Sequence, residues 1–140
     1  MGNKIMNFDN NNPTVMEMFI EHHLGKEGYK DAVEKMGVFD MSKDYAGPQG
    51  SVMAKLIPDY ICGVCIKPAA YIHDYYYSIP GTEYDKKEAD RKFLLHMVEL
   101  IDDYNWSKAT SWYKKKKATF IAAGYYMAVR DYGRSNYKYE

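Results

Sequence analysis

Lys67-Pro68-Ala69-Ala70-Tyr71-Ile72-His73-Asp74-Tyr75-Tyr76-Tyr77 and Asp85-Lys86-Lys87-Glu88-Ala89-Asp90-Arg91-Lys92-Phe93-Leu94-Leu95-His96-Met97 are the two stretches whose reading decides the fold. Proline is favoured in a first helical turn because its missing N–H has no partner there in any case. Lys67-Pro68 therefore starts a helix that runs to about Tyr77 and stops at Pro80-Gly81. The second stretch starts a helix near Thr82 or Asp85 that continues to about Tyr104. With Asp90 at zero on a helical wheel, Leu94, Met97, Ile101 and Tyr104 fall within about 40° and Phe93 within about 60°, while Lys92, Glu99 and Asp102 fall opposite. Asp90 thus sits in an apolar stripe, where a carboxylate is costly unless paired.

The first helix offers the partner. Ile66, Ala69, Ala70, Tyr76 and Tyr77 lie within about 60° of His73, so the imidazole faces inward. Helices joined by the short 78–84 connection pack as neighbours, and an inward His facing an inward Asp makes a His–Asp couple. The carboxylate fixes the imidazole tautomer and stabilises the imidazolium, as a general base requires. Asp74 points about 100° away from His73, and its hard oxygens suit calcium. The competing reading is a satisfied core histidine beside a salt-bridged aspartate. Inward His73, adjacent Asp74 and inward Asp90 together weigh toward a site.

Working outward, the expected architecture is all-α: a compact helical domain built on the antiparallel pair 68–77 and 85–104. Thr14 caps a helix over about 15–24, with Val15, Met18, Phe19 and His22 along one side, and Gly25 breaks it. A second helix over about 26–36 ends at Gly37. Residues 38–66 read as mostly irregular, with a minor β-hairpin near 60–66. A last helix spans about 106–132 and ends at Gly133. Residues 1–140 form one domain, with 1–13 expected to be loose.

The residues around His73 resemble a known motif. His73-Asp74-Tyr75-Tyr76-Tyr77 is similar to the HD-x-x-Y motif of phospholipases A2, and Ala89-Asp90-Arg91-Lys92-Phe93 resembles the later Asp-bearing helix of the parvoviral and bacterial forms. The resemblance implies that His73 is the general base, Asp74 binds calcium, Tyr77 supports the catalytic network and Asp90 orients His73. The activity implied is calcium-dependent ester hydrolysis at a phospholipid surface. A wider stretch, from about Gly47 to Tyr132, resembles small proteins of bacteriophages and prophages. It does so through Gly47-Pro48-Gln49-Gly50, Pro58-Asp59, Ala69-Ala70-Tyr71-Ile72-His73-Asp74, Glu88-Ala89-Asp90-Arg91 and Lys114-Lys115-Lys116-Lys117. That likeness implies a phage origin and leaves a non-catalytic alternative, a virion component or a binder of a host protein. Family loops of the form Tyr-x-Gly-x-Gly supply carbonyl ligands, and two segments compete for that part. Tyr45-Ala46-Gly47-Pro48-Gln49-Gly50 is preferred over Tyr60-Ile61-Cys62-Gly63, because glycines permit the tight backbone that carbonyl ligation needs. The implied metal residues are therefore Asp74, Gly47 and Gly50.

Composition bounds the remaining classes. The formal net charge is zero, so no whole-chain field favours nucleic acid, and no nucleic-acid partner is expected. Residues 106–140 nevertheless hold eight basic against two acidic side chains. With Trp112 and Tyr113 alongside, that end suits an anionic phospholipid or membrane surface, although an exposed helix face explains it as simply. Tyrosine is abundant, 15 against 5 Phe and 2 Trp, which suits a core with polar edges. The polar run Asn7 to Asn12, where a secretory signal would be apolar, and the lack of any membrane-length apolar run lead to an expected residence in a host cytoplasm or a virion. One Cys62-Gly63-Val64-Cys65 supplies too few ligands for a structural zinc site, so two buried, reduced cysteines are expected. His96, about 120° from Asp90, reads as peripheral.

Overall fold

A computed structural model describes residues 12–43, 45, 59–106 and 111–140. The described chain forms four helices and a short hairpin: α1 (Pro13–Met36), β1 (Tyr60–Ile61), β2 (Val64–Cys65), α2 (Lys67–Ser78), α3 (Glu83–Asp103) and α4 (Ser111–Tyr132). It is the expected all-α arrangement with a minor β-hairpin. None of these helices is long and apolar enough to cross a membrane.

Local chemistry accounts for the helix ends. Asn12 caps α1 by accepting from the Thr14 amide at 2.8 Å, with Pro13 in the first turn. Asparagine, not the expected Thr14, is therefore the cap, since proline already belongs to the helix. Gly25 interrupts α1 with φ 77°, and Gly37 ends it with φ 86° and its N–H bonded to the Val33 carbonyl. α3 opens with a capping box, in which the Asp85 amide bonds to Thr82 Oγ1 at 3.2 Å and the Thr82 amide returns to Asp85 Oδ2 at 2.9 Å. Trp106 lies past the end of α3, not in α4, and its indole donates to the Ile101 carbonyl at 2.8 Å. This satisfies one of the carbonyls that a helix end leaves unpaired.

The pair α2 and α3 is the centre of the molecule, with α1 packed on α2 and α4 on α3. Met16, Phe19, Ile20, Tyr71, Ile72, Phe93, Met97 and Ile101 are all nearly inaccessible within one core. The inward side of α1 is Val15, Met16, Phe19 and Ile20, and Met18 turns out to solvent. Between β1 and β2, Cys62 and Gly63 both take positive φ, 50° and 90°, which is the type I′ requirement for a two-residue hairpin. Neither cysteine is in a disulfide; Cys65 is buried as expected, but Cys62 is exposed because it sits in that turn.

After α4 the chain doubles back. Gly81 pairs with Tyr139 in a parallel bridge, its N–H donating to the Lys138 carbonyl at 2.9 Å. Arg134 clamps Glu83 with bonds of 3.0 and 2.8 Å. Tyr137 packs edge-on against Tyr77 at 5.1 Å, in a small second cluster with Ala89.

Candidate functional site

His73 sits two turns into α2, where Ala69 and Ala70 leave room for α3 to approach. His73 Nε2 lies 2.8 Å from Asp90 Oδ1. The Tyr77 hydroxyl donates to the same oxygen at 2.6 Å. Tyr77 follows His73 by four residues, so the two side chains stack on one helical face, with rings 4.2 Å apart. Phe93, one turn beyond Asp90, covers the other side of the imidazole at 4.7 Å.

Lys86 completes the cluster, and sequence reasoning missed it. Its ammonium donates to Asp90 Oδ2 at 2.7 Å and to the Val129 and Arg130 carbonyls at 3.3 Å each. Those carbonyls belong to the last turn of α4, where a cation is favourable to the helix dipole. Lys86 is 1% exposed and Asp90 0%. The signal was available: Lys86 precedes Asp90 by four residues, only about 40° away on the wheel.

The charges follow from these contacts. Burial alone would raise the Asp90 carboxyl, but bonds from His73, Lys86 and Tyr77 hold it below its ordinary pKa. Burial pushes the His73 imidazole down, and Asp90 only partly opposes it. Asp90 is therefore a carboxylate and His73 a neutral imidazole. A carboxylate only accepts, so Nε2 carries the imidazole proton and Nδ1 keeps its lone pair. His73 is 7% exposed.

His73, Tyr77 and Asp90 are thus brought together, whereas Asp74 lies on the adjoining face of α2, half-buried. Tyr45 lies near it: burial pushes the Tyr45 phenol up, with the nearby Asp40 and Asp74 charges adding to the effect. Tyr45 also holds the Asp40 amide at 2.9 Å and stacks on Phe39. The segment carrying Gly47 and Gly50 leaves from that point, although both glycines lie outside the described residues. The competing segment, Tyr60 to Gly63, is the hairpin turn. A Cβ placed on Gly63 would lie 3.4 Å from the Tyr104 hydroxyl, at the far end of α3, about 21 Å along the helix axis from Asp90. For calcium, then, Asp74 offers a hard oxygen donor of the kind that suits it, close enough to Tyr45 for its charge to act on that phenol. Among the described residues, no group of three or more His, Cys, Asp or Glu side chains is placed to hold a metal.

His96 is not peripheral as expected. It is 7% exposed and packs against His23 at 4.3 Å and Phe19 at 5.9 Å. α1 covers that flank of α3, and the wheel of one helix does not reveal a neighbour so distant in sequence. His23 in turn meets Glu99 at 3.0 Å. A separate cleft of about 280 Å³ lies behind the couple, with Tyr76, Ala89, Lys92 and Tyr137 in its wall.

No protein-family model matches this chain, and no curated protein or solved structure does either.

Proposed function

We propose that this protein is a calcium-dependent, phospholipase A2-like ester hydrolase. The observation that carries the reading is the shared Asp90 oxygen, which takes His73 Nε2 at 2.8 Å and the Tyr77 hydroxyl at 2.6 Å. That arrangement leaves Nδ1 of a neutral imidazole as the base. His73 takes a proton from water at Nδ1 while the water oxygen forms a bond to the ester carbonyl carbon. As the tetrahedral species collapses, the C–O bond to the alcohol breaks and His73 returns the proton to the leaving oxygen. The products are a carboxylic acid and an alcohol. Asp90 keeps the ring in register and stabilises its transient positive charge, and Tyr77 fixes Asp90. Asp74, with carbonyls at positions 47 and 50, would hold calcium. Calcium, when bound, supplies a Lewis acid that polarises the carbonyl and stabilises developing negative charge.

A second reading has an observation of its own. Lys86 already neutralises Asp90, and His73 is almost shut from solvent. The same four side chains then serve as a satisfied polar core in a phage protein that binds a host protein or belongs to a virion. Fatty-acid release from phospholipid vesicles, measured for wild type and His73→Ala with calcium and with a chelator, separates the two. Hydrolysis lost on either change supports the esterase. Equal background release from folded wild type and variant refutes it.

A further inference from the structure

α4 has two apolar faces, and the described residues cover only one of them. Ala118, Ala122 and Val129 are buried against the rest of the fold, and on a wheel they fall within about 40° of one another. Trp112, Lys116, Met127, Phe120 and Tyr113 fall within about 100° of one another on the opposite side. Trp112 is 70% exposed, Tyr113 63%, Phe120 81% and Met127 49%. Large apolar side chains gathered on an outward face mark an interaction surface more than a solvated one. The Lys116 ammonium lies 4.9 Å from the centre of the Trp112 ring, so cation and aromatic occupy one level of the face.

The charge pattern selects the occupant. Lysines fill positions 114 to 117, in the first turns of α4. Cations there oppose the helix dipole, a cost that an anionic partner offsets. On the wheel Lys116, Lys117 and Arg130 lie on or beside this face against Asp131 alone, a net positive rim that an anionic surface complements. Outward Trp and Phe with flanking lysines match a lipid–water boundary, where aromatic rings sit at headgroup level and lysine ammoniums meet phosphate. We propose that the Trp112–Phe120 face of α4 docks on an anionic phospholipid bilayer, with the helix lying in the plane of the interface. This docking goes beyond the reading of His73 and does not depend on it.

The test is co-sedimentation of the full chain with vesicles of phosphatidylglycerol mixed with phosphatidylcholine, and with vesicles of phosphatidylcholine alone. Wild type should bind the anionic vesicles preferentially. Lys116→Glu/Lys117→Glu should weaken that binding about tenfold or more, given the worth of each cation near an anionic surface. Phe120→Ser should weaken it by about tenfold, from the lost apolar burial. Lys116, Lys117 and Phe120 are solvent-facing, so the melting temperatures of these variants should hold. In a Trp106→Phe background, the Trp112 emission should shift to the blue on anionic vesicles only. Binding by His73→Ala at the wild-type level would keep this surface distinct from the chemistry. The proposal is overturned if wild type does not bind, if it binds both vesicle types equally, or if the variants bind as wild type does. A concentration-dependent dimer abolished by Phe120→Ser would also overturn it, by assigning the face to a second copy.

Discussion

The Lys86 ammonium lies 2.7 Å from the Asp90 carboxylate, one turn away on the same helix, with both side chains closed to water. Asp90 thus answers to two groups at once: Lys86 on one oxygen, and His73 with Tyr77 on the other. Lys86→Met should lower the unfolding free energy by about 3 kcal/mol or more, because it strands a buried carboxylate. Urea denaturation at neutral pH measures this. Adding Asp90→Asn to the same chain should recover part of the loss, since the stranded charge is then gone. A single-variant change below about 1 kcal/mol, the level of an exposed pair, would count against the pair's role.

Tyr77→Phe removes a 2.6 Å bond to a charged acceptor and leaves the ring in place. The expected loss is about 1.5 kcal/mol, typical of a hydrogen bond to an ionised group. If His73 is a base, vesicle hydrolysis should fall through kcat with KM little changed, because Asp90 is positioned less firmly.

Acid should unfold the protein partly through His96. Burial lowers that imidazole to about 3, with His23 and Lys92 adding to the effect. The folded-state pKa lies below the unfolded value of 6.5, so the stability it contributes is complete above that value. It declines as pH falls from there toward 3. Between pH 7 and 5 the contribution lost is about 2 kcal/mol. Denaturant titrations at the two pH values should show wild type losing more than His96→Leu by about that margin. Equal losses would place the acid sensitivity elsewhere.

Gly133 faces Tyr77 so closely that an added Cβ would meet the Tyr77 hydroxyl at 2.5 Å and would overlap the Val129 carbonyl. The second contact is backbone, so a flexible side chain cannot relieve it. Gly133→Ala should destabilise by about 1–3 kcal/mol, as overpacking does. It should also free the last residues for proteolysis faster than in wild type, a rate that limited digestion measures directly.

Calcium at millimolar concentration should raise the melting temperature, since a ligand bound only by the folded state stabilises it. Asp74→Asn should remove that rise, and Gly47→Val/Gly50→Val should reduce it if their carbonyls take part. Scanning calorimetry with and without calcium decides. A wild type indifferent to calcium contradicts the metal assignment.

What was readable in the chain was local. Pro68, Gly25 and Gly37 mark helix ends or breaks through their backbone and Thr82 through its side-chain cap, and the structure places ends or breaks there. The approach of His73 to Asp90 was readable because each lay on an apolar stripe and the short connection forced those stripes together. Lys86 was overlooked because an isolated lysine is ordinarily solvated, and the carbonyls that hold it come from 43 and 44 residues away. The burial of His96 depends on how α1 crosses α3, which no local pattern specifies. Cys62 was placed inside by its residue type, whereas its place in the hairpin turn puts it outside.

The reach of Lys86 to the end of α4 also makes a helix terminus the cover of the polar cluster. Helix ends open locally at lower free-energy cost than a packed core. Fraying of the last turn of α4 would withdraw the Val129 and Arg130 carbonyls from the Lys86 ammonium. The opening free energy of that turn, which amide hydrogen exchange reads, therefore sets how often water reaches Lys86 and Asp90.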